Sequence, residues 1–322
     1  MTKKLGLFDI EIDTKFLKKT QVGDTVPTSR AITDALEIIS KQMHSSGYRE
    51  RTINDYNKIV NDFQKTMDVV YLQELNVDTI YNWLQQMNVS NQTKLTRLKA
   101  LKSFLGKCFN NGWYDKKFWM TVQIKVDKYV KKGAKESDIE LLLSLLDLKT
   151  FIGLRDATAI LTMYKTGIRI NTLGKLQEKH IDFHEKSLKL DGSIMKNHKF
   201  LKLPIDDQLL QLLRVLIHYN NKIREHYKEQ NDNVFISFKG TTLNTKSPNN
   251  AISKQLTKYS KNYGLQNISP HAIRRAYAKN LLKKGASVAL ISKALGHSDL
   301  AVTTQYLDLD VEEVAKDLRD YL

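Results

Sequence analysis

Ser269-Pro270-His271-Ala272-Ile273-Arg274-Arg275 is the stretch on which the reading of this 322-residue chain turns. It is followed by Leu295-Gly296-His297 and then, nine positions after that histidine, by Tyr306. Two histidines and an arginine can neutralise and hydrogen-bond the non-bridging oxygens of a phosphodiester, and a tyrosine hydroxyl close by in sequence can attack it. Serine followed by proline is also an ordinary helix start, with serine as cap and proline in the first turn, which puts His271 and Arg274 one turn apart on a single helix. No cluster of metal-ligating residues competes for this role in the sequence. About a hundred residues upstream lies Thr166-Gly167-Ile168-Arg169-Ile170-Asn171-Thr172-Leu173, and between the two halves sits a lysine-bearing hairpin, Met195-Lys196-Asn197-His198-Lys199.

The ordered set Arg169, Lys196, His271, Arg274, His297 and Tyr306 resembles the active site of the tyrosine recombinases, the phage integrase and Xer-type enzymes, and the match runs from about residue 30 to the end. A lone His-x-x-Arg is a weak signal. Six residues in order, with Leu-Gly-His leading to tyrosine at nine, is a specific one. Lys199 and Lys202 share the hairpin with Lys196, which is preferred because it lies eight residues before Pro204, as the family's lysine typically does. The chain departs from the family at Thr172, where an acidic residue is usual, and at Arg275, where histidine is common. These departures touch the surroundings that orient Arg169 and Arg274.

The resemblance implies a mainly α fold with a small β-sheet or hairpin, arranged as a helical core-binding domain and a catalytic domain that form a clamp. It also implies roles. Arg169 and Arg274 hold the scissile phosphate and offset charge in the pentacoordinate transition state. Lys196 protonates the departing 5′ oxygen, and His271 and His297 hydrogen-bond the phosphate. A tyrosine phenol in general has a pKa of about 10, so Tyr306 needs this help to form a 3′-phosphotyrosyl bond. No metal or other cofactor is required. Double-stranded DNA is the expected partner, bound by a homotetramer on two sites, with accessory DNA-bending proteins as further candidates.

Composition agrees. Fifty-one Lys and Arg against 35 Asp and Glu give a net charge of +16, which draws the chain to a polyanion by counterion release. The length suits two domains of roughly 150 residues. The one cysteine, Cys108, excludes an internal disulfide and reads as a buried thiol in an apolar helical pattern. The apolar run Leu5 to Phe8 is cut at Asp9, so neither a signal peptide nor a membrane span is expected, and the chain reads as cytoplasmic and nucleoid-associated.

Residues 1–28 read as an extension closed by Gly23-Asp24-Thr25-Val26-Pro27, and residues 29–126 as the core-binding domain. Within it Ile32, Leu36, Ile39 and Met43, then Ile53, Tyr56, Ile59, Val60 and Phe63, mark two amphipathic helices. A third spans Val77 to Met87. A fourth starts at Asn91 with Leu95, Leu98, Leu101, Leu105 and Phe109 inward, and carries Lys94, Arg97, Lys99, Lys102 and Lys107 on its other faces. That stripe is either a solvated face or, for Lys94, Arg97, Lys99 and Lys102, a DNA-backbone contact. Residues 127–136 form a basic linker holding Lys131 and Lys132, also candidate DNA contacts with Arg275, and Ser137 with Glu140 reads as a capping box. In the catalytic domain, 137–322, Leu141 to Leu146 and Ala157 to Tyr164 read as buried helices. Residues 187–205 alternate as a hairpin, Val234-Phe235-Ile236 as a further strand, and 311–322 as an amphipathic helix that packs at home or docks on a neighbouring subunit.

Two other readings remain at this point. One is a non-catalytic DNA-binding regulator such as a phage repressor that keeps the recombinase fold. The other, a type IB topoisomerase, shares the chemistry, but nothing in the chain suggests its surrounding domains.

Overall fold

The computed structural model describes residues 29–127, 132–243 and 250–307. The extension 1–28, Lys131 and the C-terminal segment 311–322 therefore lie outside the described residues. The chain divides into two compact units, 1–128 and 129–322. The described residues are mainly helical with one three-stranded sheet.

Among the described residues the first unit holds four α-helices, α1 (Ile32–Ser45), α2 (Glu50–Met67), α3 (Val77–Gln86) and α4 (Asn91–Asn110). Each buries one apolar stripe, and the stripes meet around Phe63 and Trp83, whose rings pack edge to face at 5.2 Å. α3 and α4 start on true caps, with the side chains of Asn76 and Ser90 accepting from the amides of Thr79 and Thr93. The buried face of α4 is Leu98, Leu101, Phe104, Leu105 and Cys108, while Leu95 and Phe109 are only half-buried. The inward stripe is thus rotated from the expected one toward Phe104 and Cys108. Burial pushes the Cys108 thiol up to about 12, so it is an inert core group.

In the second unit α5 (Glu136–Leu145), α6 (Phe151–Thr166) and the single turn α7 (Ile170–Leu173) precede the sheet, followed by α8 (Asp207–Tyr227), α9 (Ala251–Asn262), α10 (Pro270–Lys283), α11 (Val288–Leu295) and α12 (Leu300–Leu307). α6 is the central element. It is buried nearly all round and packs on α8 and α10. Its threonines survive there because the hydroxyls of Thr158 and Thr162 donate back to the carbonyls of Leu154 and Thr158 at 2.7 and 2.6 Å. The buried Arg155 donates to Asp156 and to the Ile236 carbonyl, and Tyr259 donates to the other carboxylate oxygen of Asp156, so no charge there is left unpaired.

β1 (Ile181–Asp182), β2 (Ser187–Leu190) and β3 (Leu201–Pro204) form an antiparallel meander, with Leu188 opposite Leu203 and Leu190 opposite Leu201. Residues 191–200 connect β2 to β3 and carry Lys196.

Three expectations are corrected. α5 starts at Glu136 after Lys135, which makes no side-chain cap, so Ser137 falls inside the first turn instead of capping it. Only Ile139 and Leu142 of α5 are buried, with Leu146 just beyond it, while Leu141 and Leu145 are exposed. Val234, Phe235 and Ile236 are fully buried, yet they make no regular strand. Their backbone finds single partners instead, such as the Leu176 carbonyl for the Val234 amide.

Candidate active site

The site is assembled from helix ends. Gly167 closes α6 in the left-handed region, at φ 63°, with its amide on the Met163 carbonyl. A Cβ there would sit 2.3 Å from the Tyr277 ring, so glycine is required twice over. The turn delivers Arg169 as the residue before α7. Gly296 closes α11 in the same way, at φ 60°, and delivers His297. Ser269 caps α10, accepting from the Ala272 amide at 3.2 Å with Pro270 in the first turn, so His271 and Arg274 do lie one turn apart on one helix.

Arg274 is 2% exposed. Its guanidinium donates to the carbonyl of Gly167 at the end of α6 and, at 2.6 Å, to the carbonyl of Leu295 at the end of α11. Arg169 reaches the same Leu295 carbonyl at 3.5 Å. Helix C-termini leave carbonyls without intrahelical partners and carry partial negative charge, so two of them make a natural seat for guanidinium groups. The seat does not neutralise them. Burial and the neighbouring Arg169 charge pull Arg274 below the normal arginine range, burial does the same to Arg169, and the Arg274 Nε has no partner among the described residues. Two partly desolvated cations side by side make a site for an anion.

His297 sits against this pair. Its Nε2 lies 3.0 Å from the Arg274 guanidinium. Arginine can only donate, so Nε2 accepts, and Nδ1 carries the proton toward the Thr303 hydroxyl at 2.9 Å. Burial first, then Arg274 and Arg169, pull the imidazole down to about 4, which leaves it neutral at physiological pH. The Tyr306 ring packs edge-on against His297 at 5.0 Å, with Arg275 and Arg274 over its face at 5.2 and 5.9 Å. Thr303 and Tyr306 are one turn apart on α12, so the helix that carries the phenol also fixes the imidazole.

Arg169, Arg274, His297 and Tyr306 are therefore brought together. His271 is exposed on the first turn of α10 and lines a cavity of about 560 Å³ with Lys132, Lys135, Ser269 and Arg275. Lys132 is held there by Asn267, whose amide donates to the carbonyls of Lys132 and Gly133 at 2.8 and 2.9 Å, so 132–135 is fastened to the second unit. Lys196 is exposed on the β2–β3 connection, next to the buried Met195.

The two departures from the family have definite surroundings. Thr172 is buried and donates to the Ile194 carbonyl at 3.3 Å, tying α7 to the lysine loop without a charge. Arg275 stacks on the candidate nucleophile.

On α4 the basic residues differ from one another. Lys102 donates to the Val122 carbonyl at 2.5 Å, and burial lowers its pKa, so its charge serves the interior. Arg97 meets Asp62 at 3.5 Å, Lys99 is exposed and Lys94 half-exposed. Sequence reasoning did not find Thr303 or the Gly167 and Leu295 carbonyls. Thr303, a polar residue between His297 and Tyr306, was the one signal available.

The phage integrase family model matches residues 133–313. The chain belongs to this family. It is thus a tyrosine-type site-specific recombinase, an enzyme. Its relatives include tyrosine recombinase XerC of Chlamydia caviae, 28% identical over 231 residues covering 71% of each chain, and XerC of Mannheimia succiniciproducens, 25% identical over 284 residues covering 83% of this chain and 91% of the relative. Among solved structures, the Tn1549 transposon integrase in complex with a circular intermediate DNA superposes with a TM-score of 0.68 at 15% identity, covering 89% of this chain and 99% of that one. A lambda integrase tetramer bound to a Holliday junction gives 0.66 at 15% identity, covering 87% and 78%. These two likenesses concern the fold. Among the described residues, no helix is long and apolar enough to cross a membrane.

Proposed function

We propose that the chain cleaves and rejoins DNA at specific sites through a 3′-phosphotyrosyl intermediate, acting as a tetramer on two sites, in the integration, excision or resolution of a mobile element. The observation that carries this reading is the cluster in which Arg274 and Arg169 share the Leu295 carbonyl at the end of α11, His297 meets the Arg274 guanidinium and the Tyr306 ring packs on His297.

In this reading the scissile phosphate binds the outward edges of the two guanidiniums in place of His297, while the helix-end carbonyls keep holding them, and they gain a full anion as partner. Arg274 then releases His297 Nε2, an unprotonated nitrogen beside the Tyr306 ring that can take the phenol proton. The Tyr306 oxygen attacks phosphorus. Charge that grows on the non-bridging oxygens is met by groups already fixed in place, so little reorganisation is needed in the transition state. His271, one turn before Arg274, adds a further hydrogen bond. Lys196 protonates the 5′ oxygen as it leaves. The phosphotyrosyl bond conserves the energy of the backbone linkage, and reversal of the steps with a new 5′ hydroxyl rejoins the strand.

The DNA comes to this site through the remaining cations, Lys132 and Arg275 beside the cavity and Lys94, Arg97 and Lys99 on α4, all suited to backbone phosphates rather than bases.

The test is a nicked duplex bearing the site recovered from the host genome, incubated with wild type and with Tyr306→Phe. An SDS-resistant adduct formed by the wild type alone is expected. Tight, specific binding by both proteins with no adduct would replace this reading with a DNA-binding regulator. A recovered site at the ends of a mobile element supports the mobile-element role, and a site elsewhere in the chromosome overturns that part.

A further inference from the structure

The connection between β2 and β3 is fastened at three places. At its start, Asp191 accepts from His180 Nε2 at 2.9 Å and from the Ser193 amide at 2.8 Å. His180 is buried and its Nδ1 accepts from the Gln177 amide, so Nε2 is the protonated nitrogen. In its middle, the Ile194 carbonyl takes the Thr172 hydroxyl at 3.3 Å. Past Lys196, Asn197 Nδ2 donates to the Gly296 carbonyl at 3.2 Å, while its Oδ1 accepts from the Lys199 amide at 3.3 Å. The first two fasten the loop to His180 just before β1 and to α7. The third ties it to the helix end that seats the arginines.

Leu295 and Gly296 present successive carbonyls at the C-terminus of α11. The first goes to Arg274 and Arg169, and the second to Asn197. Met195, next to Lys196 on the other side, is 3% exposed, and its Cε lies 3.4 Å from where a Cβ on Gly296 would stand. The exposed Lys196 is therefore carried between two neighbours that both rest on the Gly296 turn. Its backbone is fixed relative to the phosphate seat even though its side chain is long.

We propose that Asn197 is a positioning residue for Lys196: by holding the lysine loop on the Gly296 carbonyl, it sets where the ammonium meets the departing 5′ oxygen. This rests on the reading of Lys196 as proton donor. In that step the Tyr306 oxygen bonds to phosphorus as the P–O5′ bond breaks, and the bond pair goes to O5′. The Lys196 ammonium gives O5′ a proton and becomes a neutral amine, while the phenol proton goes to His297 Nε2. Asn197 itself touches no reacting atom. Losses of alignment of the order of 1 Å cost roughly 10²-fold in rate.

The test compares two substrates that differ only in their need for a proton. The probe is a nicked duplex carrying the site selected from randomised duplexes by covalent capture with the wild-type chain. It is prepared with an ordinary scissile phosphate or with sulfur in place of the bridging 5′ oxygen, since a thiolate leaves without protonation. Asn197→Asp keeps the shape and the acceptor for the Lys199 amide but replaces the donor to Gly296 with a negative charge, so Asn197→Ala, which removes the donor and adds no charge, serves as the second variant. Both are expected to cleave the ordinary phosphate at least about tenfold more slowly than wild type and the sulfur substrate at the wild-type rate.

Equal slowing on both substrates would reduce Asn197 to a structural contact and overturn the proposal, as would no slowing on either. Lys196→Ala separates the two layers of the argument. If sulfur restores Lys196→Ala but the Asn197 variants do not follow it, the proposal alone falls. If sulfur fails to restore Lys196→Ala, or the wild type forms no adduct, the underlying reading falls and the proposal with it.

Discussion

Arg274 is 2% exposed and grips the ends of two helices, whereas Lys196, also needed in the proposed step, stands exposed on a loop that rests on the same helix end through its neighbours Met195 and Asn197. The difference follows from what each has to do. A group that stabilises charge works best when it is fixed before substrate arrives, because no reorganisation is then left for the transition state. A group that must give up a proton cannot share that surrounding, since burial beside two guanidiniums would strip the proton in advance. The phosphate seat is thus part of the fold, and the acid is carried up to its edge.

The largest effect that could break this contrast is at Arg274. Arg274→Ala leaves the Gly167 carbonyl without its donor and the Leu295 carbonyl with only the long contact from Arg169, so adduct formation should fall by about 10³-fold and folding stability by about 2 kcal/mol. Arg274→Lys should recover little of either, because an ammonium lacks the planar fork that spans both carbonyls. Adduct yield and urea midpoints measure the two losses. A lysine variant close to wild type in both would show that the seat is less specific than described.

Lys196→Ala should cost about 10²-fold in cleavage and leave the urea midpoint unmoved. A large loss of stability there would mean that the loop belongs to the core after all.

His297 gives an effect on pH dependence. Its pKa is pulled down to about 4 in the folded chain, against about 6.5 unfolded. Between these values the unfolded chain binds more protons, so stability should fall as pH drops from about 6.5 toward 4 and should not respond to this group above 6.5. His297→Gln should flatten that part of the curve, as read by urea unfolding at pH 7.5, 6 and 5.

The smallest effects separate interior from surface lysines. Lys99→Ala should reduce the slope of log K against log salt for DNA binding by about 0.9. Lys102→Met should leave that slope unchanged and move stability by about 1 kcal/mol, because its ammonium is on the Val122 carbonyl.

Much of this is legible in the amino-acid sequence. Gly167 and Gly296 announce helix ends, Ser269-Pro270 announces a helix start, and the alternation around Leu188 and Leu203 announces paired strands, because each depends on local backbone chemistry. The order and spacing of the six site residues carry the resemblance that named the chemistry. What cannot be read is what those residues hold. Backbone carbonyls have no letter in a sequence, so the Gly167 and Leu295 seats are invisible there, as is the Ile194 carbonyl that takes the Thr172 hydroxyl. Periodicity likewise says which residues share a face but not which face is covered. For that reason Leu141 and Leu145 read as buried in α5, and Lys102 reads as one more candidate for the DNA backbone. Val234-Phe235-Ile236 reads as a strand because it is apolar, but its amides go to separate partners.

The seat of Arg274 also bears on the order in which the chain is made. Its two hydrogen bonds reach across 107 and 21 positions, back to Gly167 and forward to Leu295, and the nucleophile comes later still. A nascent chain halted anywhere before residue 295 has one of its two carbonyls missing and neither His297 nor Tyr306. Such a fragment lacks the nucleophile of the proposed step, so cleavage is withheld until Tyr306 has been added to the chain.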